Sequence, residues 1–142
     1  IMFNHESEFR NKDYLFIKIF NSAKKIKNKE MKLLELGSTN YVRDWSFAGD
    51  VAKAIFLINQ SDNNNNFIIG SGVSTSISEV VEKVFSLYDL KPENHIKVNP
   101  KLLREGDPLE IVSDPSLLKS ELNWSPQLSV DDLLERIFHK IK

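Results

Sequence analysis

Four side chains in this sequence could close on a phosphorylated ligand: Asn4, Lys18, Arg43 and Arg104. An arginine presents a planar fork of donors that matches phosphate two bonds at a time, a lysine adds a compact positive charge, and an asparagine amide both donates and accepts. Each arginine also has acidic neighbours, Asp44 next to Arg43 and Glu105-Gly106-Asp107 after Arg104. Surface pairing with those neighbours is the plainer account, and it would contribute about 1 kcal/mol or less. The two accounts differ in geometry, because a clamp requires the four residues to converge on one place.

Other patterns carry less chemistry. Tyr14 and Lys18 have the tyrosine-x3-lysine spacing in which the lysine lowers the phenol's pKa so that it can pass a proton. No dinucleotide fingerprint lies upstream of them, and the spacing is read as coincidence. Gly70-Ser71-Gly72-Val73-Ser74-Thr75 sits between an expected strand and an expected helix, where a glycine-rich loop can cradle a pyrophosphate. It lacks the third glycine and a well-placed acidic residue for a ribose, so a plain turn is expected. Lys24, Lys25, Lys27, Lys29 and Lys32 cluster where a helix C-terminus welcomes cations, without aromatic residues interleaved for base stacking. The three histidines, His5, His95 and His139, have no spacing that resembles a metal site, and no serine-hydrolase elbow is present.

The bulk composition narrows the classes. The 142 residues suffice for one domain with a single sizeable core. Hydrophobic residues at 41% and charged residues at 27% are ordinary for a globular fold, and a net charge of −1 argues against broad electrostatic capture of nucleic acid. The absence of cysteine removes disulfides and thiolate metal sites and is compatible with a reducing compartment. No apolar run approaches the roughly 20 residues of a membrane span, and a cytoplasmic protein is expected.

The elements that must position the candidate residues follow from periodicity. Ile1 to Phe3 reads as the tail of a buried strand, with the polar cluster Asn4-His5-Glu6-Ser7 at its end. Tyr14 to about Lys27 has apolar positions at helical spacing, and Leu33 to Leu36 is a short strand ended by Gly37. Phe47 to Asn59 is apolar around much of its circumference and is expected as a largely buried helix. Ser61 to Asn66 is a surface turn before a buried strand at Phe67-Ile68-Ile69. Ser76-Ile77-Ser78-Glu79 is a capping-box pattern that opens a helix reaching Tyr88. His95 to Val98 and Leu109 to Val112 read as strands around the loop Asn99 to Pro108. Asp114-Pro115 starts a short helix closed by Trp124-Ser125-Pro126, and Ser129 with Asp132 caps the last helix. Alternating strands and helices indicate an α/β or α+β domain.

Four segments, in order, carry a resemblance: "FNHES" at Phe3 to Ser7, "LGSTNYVRDW" from Leu36, "GSGVSTSISEVVEKVF" from Gly70 and "SDPSLLKSELNWSP" from Ser113. Together they resemble the C-terminal part of GDP-mannose 4,6-dehydratases, members of the extended short-chain dehydrogenase/reductase enzymes. The resemblance implies an α/β C-terminal substrate-binding lobe over residues 1–142, with Ile1 to Asn4 and Phe67 to Gly70 as remnant strands of a Rossmann sheet. The glycine-rich loop for NADP or NAD and the catalytic Ser/Thr, Tyr and Lys would then precede Ile1, in keeping with a sequence that opens on "IMFNHES" without a start methionine.

The reaction implied oxidises C4 of a nucleotide-linked hexose, eliminates water across C5 and C6, and returns the hydride to C6. Within it the resemblance assigns Asn4 to the sugar-diphosphate region, Lys18 to phosphate, Leu36 and Gly37 to backbone contacts near base or ribose, and Arg43 to the diphosphate. Arg104 and Asp107 take the places of an R-P-x-E pattern, the arginine on phosphate and the acid on a ribose hydroxyl. Arg10 alone keeps a basic residue where the family has a double arginine that helps to build subunit contacts around the cofactor; the resemblance implies a cofactor contact at Arg10 and a homo-oligomer for the full-length enzyme. The sequence departs from the family at Glu8-Phe9-Arg10-Asn11-Lys12, at Phe16-Ile17-Lys18, and in the short bridge Asn99 to Leu103. The expected ligand is therefore GDP-mannose or a related GDP-hexose or GDP-heptose. A nucleotide-sugar epimerase or reductase of the same superfamily, or a non-catalytic nucleotide-sugar-binding module, are the alternatives.

Overall fold

The computed structural model describes residues 1–141. In chain order the elements are β1 (Asn4–Glu6), α1 (Leu15–Lys27), β2 (Leu34–Leu36), β3 (Val42–Arg43), β4 (Trp45–Phe47), α2 (Ala48–Gln60), β5 (Thr75–Ser76), α3 (Ile77–Leu87), β6 (Ile96–Val98), β7 (Glu110–Ile111), α4 (Ser116–Leu122) and α5 (Val130–Ile141). The strands form three small sheets. β1 runs parallel to β4, β2 runs parallel to β6, and β3 lies between antiparallel β5 and parallel β7. This mixed α/β arrangement is the class expected from the alternating pattern.

The main core forms where three helical stripes meet. α1 buries Phe16, Ile19, Phe20, Ala23 and Ile26, α3 buries Val80, Val81, Val84 and Phe85, and α5 buries Leu133, Leu134 and Ile137. These close over Leu34, Leu36 and Trp45, with the Phe16 and Trp45 rings 5.1 Å apart. Each fully buried large side chain contributes on the order of 1.5–3 kcal/mol of transfer free energy. A second, smaller cluster joins Val51 and Ala54 of α2 to Phe67, Ile69, Leu118 and Trp124.

The expected helix starts are largely realised. Ser76 Oγ accepts from the Glu79 N–H at 3.1 Å while the Glu79 carboxylate accepts from the Ser76 N–H at 2.7 Å. Ser129 and Asp132 repeat the exchange ahead of α5. At α4 the helix begins one residue later than expected. Pro115 occupies the boundary, and Asp114 serves the end by accepting from the Ser116 N–H at 3.0 Å. Asn123 ends α4 in the left-handed conformation, which asparagine tolerates.

Three expectations need correction. The first strand occupies Asn4–Glu6, inside the polar cluster, because parallel pairing with β4 satisfies that backbone whatever the side-chain polarity. Ile1 to Phe3 and Phe67 to Ile69 do lie parallel, but through a single bridge between Met2 and Ile69. α2 is also not largely buried: only Asp50, Val51 and Ala54 are covered, and Ile55 and Phe56 are 41% and 61% exposed. An apolar circumference fits a helix to be covered but does not supply the cover, and here one side alone meets β4 and the second cluster. Among the described residues no helix is long and apolar enough to cross a membrane.

Candidate functional site

The ends of β1, β2 and β3, one face of α1 and the loop before β7 surround a cleft of about 870 Å³. Asn4, Arg10, Lys18, Leu36, Gly37, Arg43, Arg104 and Asp107 all line it. All eight residues singled out from the sequence are therefore brought to one concavity, although 103 positions separate the first from the last (107 − 4).

Local structure explains how each arrives there. The helical stripe that buries Phe16 and Ile19 leaves Lys18 half-buried at the cleft wall, where its Nζ donates to the Glu35 carbonyl at 3.1 Å. Gly37 follows β2 where the chain 100–103 crosses closely. A Cβ at that position would lie 2.8 Å from the Leu102 carbonyl oxygen, so glycine is what allows the approach. Asn4 is exposed on β1, and its side-chain amide makes no hydrogen bond among the described residues. The Arg104 guanidinium is exposed and is likewise without a hydrogen bond or ion pair among the described residues.

Arg43 is pinned. It is 8% exposed, donates to the carbonyls of Val42 at 2.7 Å and Leu109 at 3.1 Å, and pairs with Asp107 at 2.8 Å. Its guanidinium carbon also lies 5.0 Å from the Tyr41 ring centroid. The acidic partner is Asp107 across the β3–β7 junction, and the adjacent Asp44 takes no part. Arg43 thereby fixes the loop that carries Arg104.

Asp44 explains why the glycine-containing turn after Phe67 to Ile69 is no phosphate cradle. The carboxylate is 1% exposed and accepts from the N–H groups of Ser71 at 2.8 Å, Gly72 at 2.9 Å and Ser113 at 3.2 Å, as well as from both serine hydroxyls. The backbone donors that an anion would use are already bonded to an internal one. The lysine cluster also has its expected role at the end of α1, with Lys24, Lys25 and Lys27 in the last turn and Lys27 3.2 Å from Asp89.

Residues not expected at a ligand site also line the cleft. Tyr14 does so, and Arg10 stacks on its ring with its guanidinium carbon 3.8 Å from the centroid. No periodicity signals that contact, because residues 10–14 lie in turns and bends ahead of α1. Tyr41, Leu102 and Glu6 had no signal either. Glu6 is buried, and burial raises its carboxyl above the ordinary value of 4.5, with Arg10 and then His5 pulling it back. Among the described residues no group of three or more histidine, acidic or cysteine side chains could hold a metal ion.

The family model described as GDP-mannose 4,6 dehydratase matches residues 1–137. The chain belongs to this family. A GDP-mannose 4,6 dehydratase from Homo sapiens is 31% identical over 156 residues, covering 98% of this chain and 42% of the relative. The chain spans about two fifths of the length of the curated relatives it matches, a C-terminal portion of them. Among solved structures, RMD from Pseudomonas aeruginosa complexed with NADPH aligns with a TM-score of 0.86 at 17% identity, over 98% of this chain and 46% of that one. dTDP-glucose 4,6-dehydratase from Bacillus anthracis in complex with NAD aligns with a TM-score of 0.83 at 20% identity, over 99% and 42%. At that identity the likeness concerns the fold, which is that of the extended short-chain dehydrogenase/reductase epimerases and dehydratases.

Proposed function

We propose that this chain is the nucleotide-sugar-binding part of a 4,6-dehydratase, and that the cleft grips GDP-mannose or a related GDP-sugar by its diphosphate. The observation that carries the reading is the convergence of Lys18, Arg104 and Asn4 on one cleft beside the fixed Arg43–Asp107 pair, with Asn4 and Arg104 unbonded among the described residues and Lys18 Nζ bonded to the Glu35 carbonyl alone. Membership of the GDP-mannose 4,6-dehydratase family supports the choice of ligand.

In this reading Lys18 and Arg104 neutralise the diphosphate, and Arg43 orients the loop that holds Arg104. Asp107 gives one carboxylate oxygen to Arg43 and keeps the other for a ribose hydroxyl. The backbone at Leu36 and Gly37 lies against base or ribose, where Leu102 adds an apolar surface. The work of these residues is positioning, which lowers a barrier by fixing the reacting sugar rather than by moving protons.

A dinucleotide does not fit the turn at Gly70 to Thr75, since Asp44 occupies its amides. Arg10 is the remaining candidate for a cofactor contact. We assign the cofactor cradle and the catalytic groups to a dinucleotide-binding domain outside residues 1–142, where NADP or NAD, when bound, supplies the hydride acceptor. Residues 1–142 form one domain in this scheme, and the paired segments 1–3 and 67–69 belong to the edge of that larger sheet.

Calorimetric titration of the purified protein with GDP tests the reading. Wild type should bind, and Lys18→Ala and Arg104→Ala should each weaken GDP by about 10-fold or more, the loss of one charge-assisted contact to phosphate. Absence of GDP binding, or variants that bind as wild type does, would overturn it.

A further inference from the structure

We propose that Glu6 accepts a hydrogen bond from a sugar hydroxyl of the bound ligand and so makes the cleft prefer a nucleotide sugar to the bare nucleotide. The inference rests on the reading above and assigns a residue to the sugar end of the same site. Glu6 is 5% exposed and forms part of the cleft wall, yet its Oε2 is buried without a hydrogen-bond partner. The nearest cation is Arg10, whose Nε stands 3.6 Å away and is itself buried without a hydrogen bond.

The other buried carboxylates show what is missing. Asp44 accepts from three backbone N–H groups and two hydroxyls, and Asp50 accepts from the N–H groups of Gln127 and Leu128. Both are structural: Asp44 has donors on both oxygens, and Asp50 has two on one oxygen. Glu6 has the Arg10 ion pair at 3.6 Å and no hydrogen bond on its buried Oε2, and an oxygen in that condition gains from a donor a ligand brings. The upward displacement of its carboxyl has the same origin in burial.

Ligand chemistry decides which part can answer. Phosphate oxygens at neutral pH offer no hydrogen and are repelled by a carboxylate, whereas every sugar hydroxyl carries a donor. Charge therefore orients the ligand, with the diphosphate toward Lys18 and Arg104 and the polyol toward Glu6. Asn4 lies two residues before Glu6 and so on the same face of β1, and it extends the polar floor under the sugar.

Titrations of wild type, Glu6→Gln and Glu6→Ala with GDP and with GDP-mannose test the proposal. Wild type should prefer GDP-mannose to GDP. Both variants should lose about 10-fold in GDP-mannose affinity, Glu6→Gln the less, while GDP binding stays within twofold. An unchanged ratio of the two affinities overturns the proposal. Equal weakening of both ligands also overturns it, because Glu6 would then act only by holding Arg10. Absence of GDP binding to wild type is a different failure, which removes the site itself. Glu6→Gln is nearly isosteric and keeps the test open should Glu6→Ala fail to fold.

Discussion

Arg43 and Asp44 are adjacent, opposite in charge and both buried, and they do not pair. Successive side chains in an extended segment point to opposite sides, so Arg43 turns to the cleft loop and Asp44 to the turn at Ser71 and Gly72. Each forms contacts more than 25 residues away, and a reading by sequence proximity could not foresee either. The residue types that suit phosphate were legible, but with 19 lysines and arginines in the chain it was the family motifs that singled out Lys18, Arg43 and Arg104. Glu6 was not legible, since nothing in a sequence says that a carboxylate will be buried short of donors. For Asp44 the consequence is stability. Asp44→Ala strands three backbone N–H groups and two hydroxyls, and urea unfolding should show a loss of about 3 kcal/mol or more, with Asp44→Asn losing less because one acceptor oxygen remains.

At the scale of elements, capping chemistry was the most readable signal, because its partners are three residues apart and need no tertiary contact. The Ser76–Glu79 exchange before α3 and the Ser129–Asp132 exchange before α5 are both present. The extent of burial was less readable, as the exposed Ile55 and Phe56 of α2 show. Two contacts with the Ser76 backbone and hydroxyl hold the Glu79 carboxyl below its ordinary value of 4.5. A carboxyl depressed on folding adds stability that is fully present above 4.5 and lost as the pH falls through the lower folded value. Ser76→Ala should therefore cost about 1 kcal/mol at neutral pH, and the difference from wild type should shrink below pH 4.5. Chemical unfolding of both proteins at neutral and acid pH measures it, and a gap that stays constant with pH would mean that the Ser76 hydroxyl does not act through the Glu79 carboxylate, whose bond from the Ser76 backbone N–H the substitution leaves in place.

For the whole molecule, a net charge of −1 conceals a local imbalance. Arg10, Lys18, Arg43 and Arg104 face one cleft with Glu6, Asp13 and Asp107, and Arg43 and Asp107 cancel each other. Arg10 is likewise paired with Glu6, which leaves Lys18 and Arg104 against Asp13, a net charge of +1 carried at positions far apart in sequence that only the closed fold brings together. The β3–β7 pairing performs that closure, and it was the least legible step: strands of two residues carry almost no periodicity, and the Arg43–Asp107 contact that accompanies their pairing spans 64 positions. Because Arg104 is exposed and Lys18 only half-buried, salt should reach their field. At 0.15 M ionic strength the screening length is about 8 Å, and near 1 M it falls to about 3 Å. GDP affinity should then drop several-fold between those conditions, while guanosine, which lacks the diphosphate, should bind weakly and with little salt dependence. Equal salt responses for GDP and guanosine would mean that the cleft reads the base alone and that its cations do not meet phosphate.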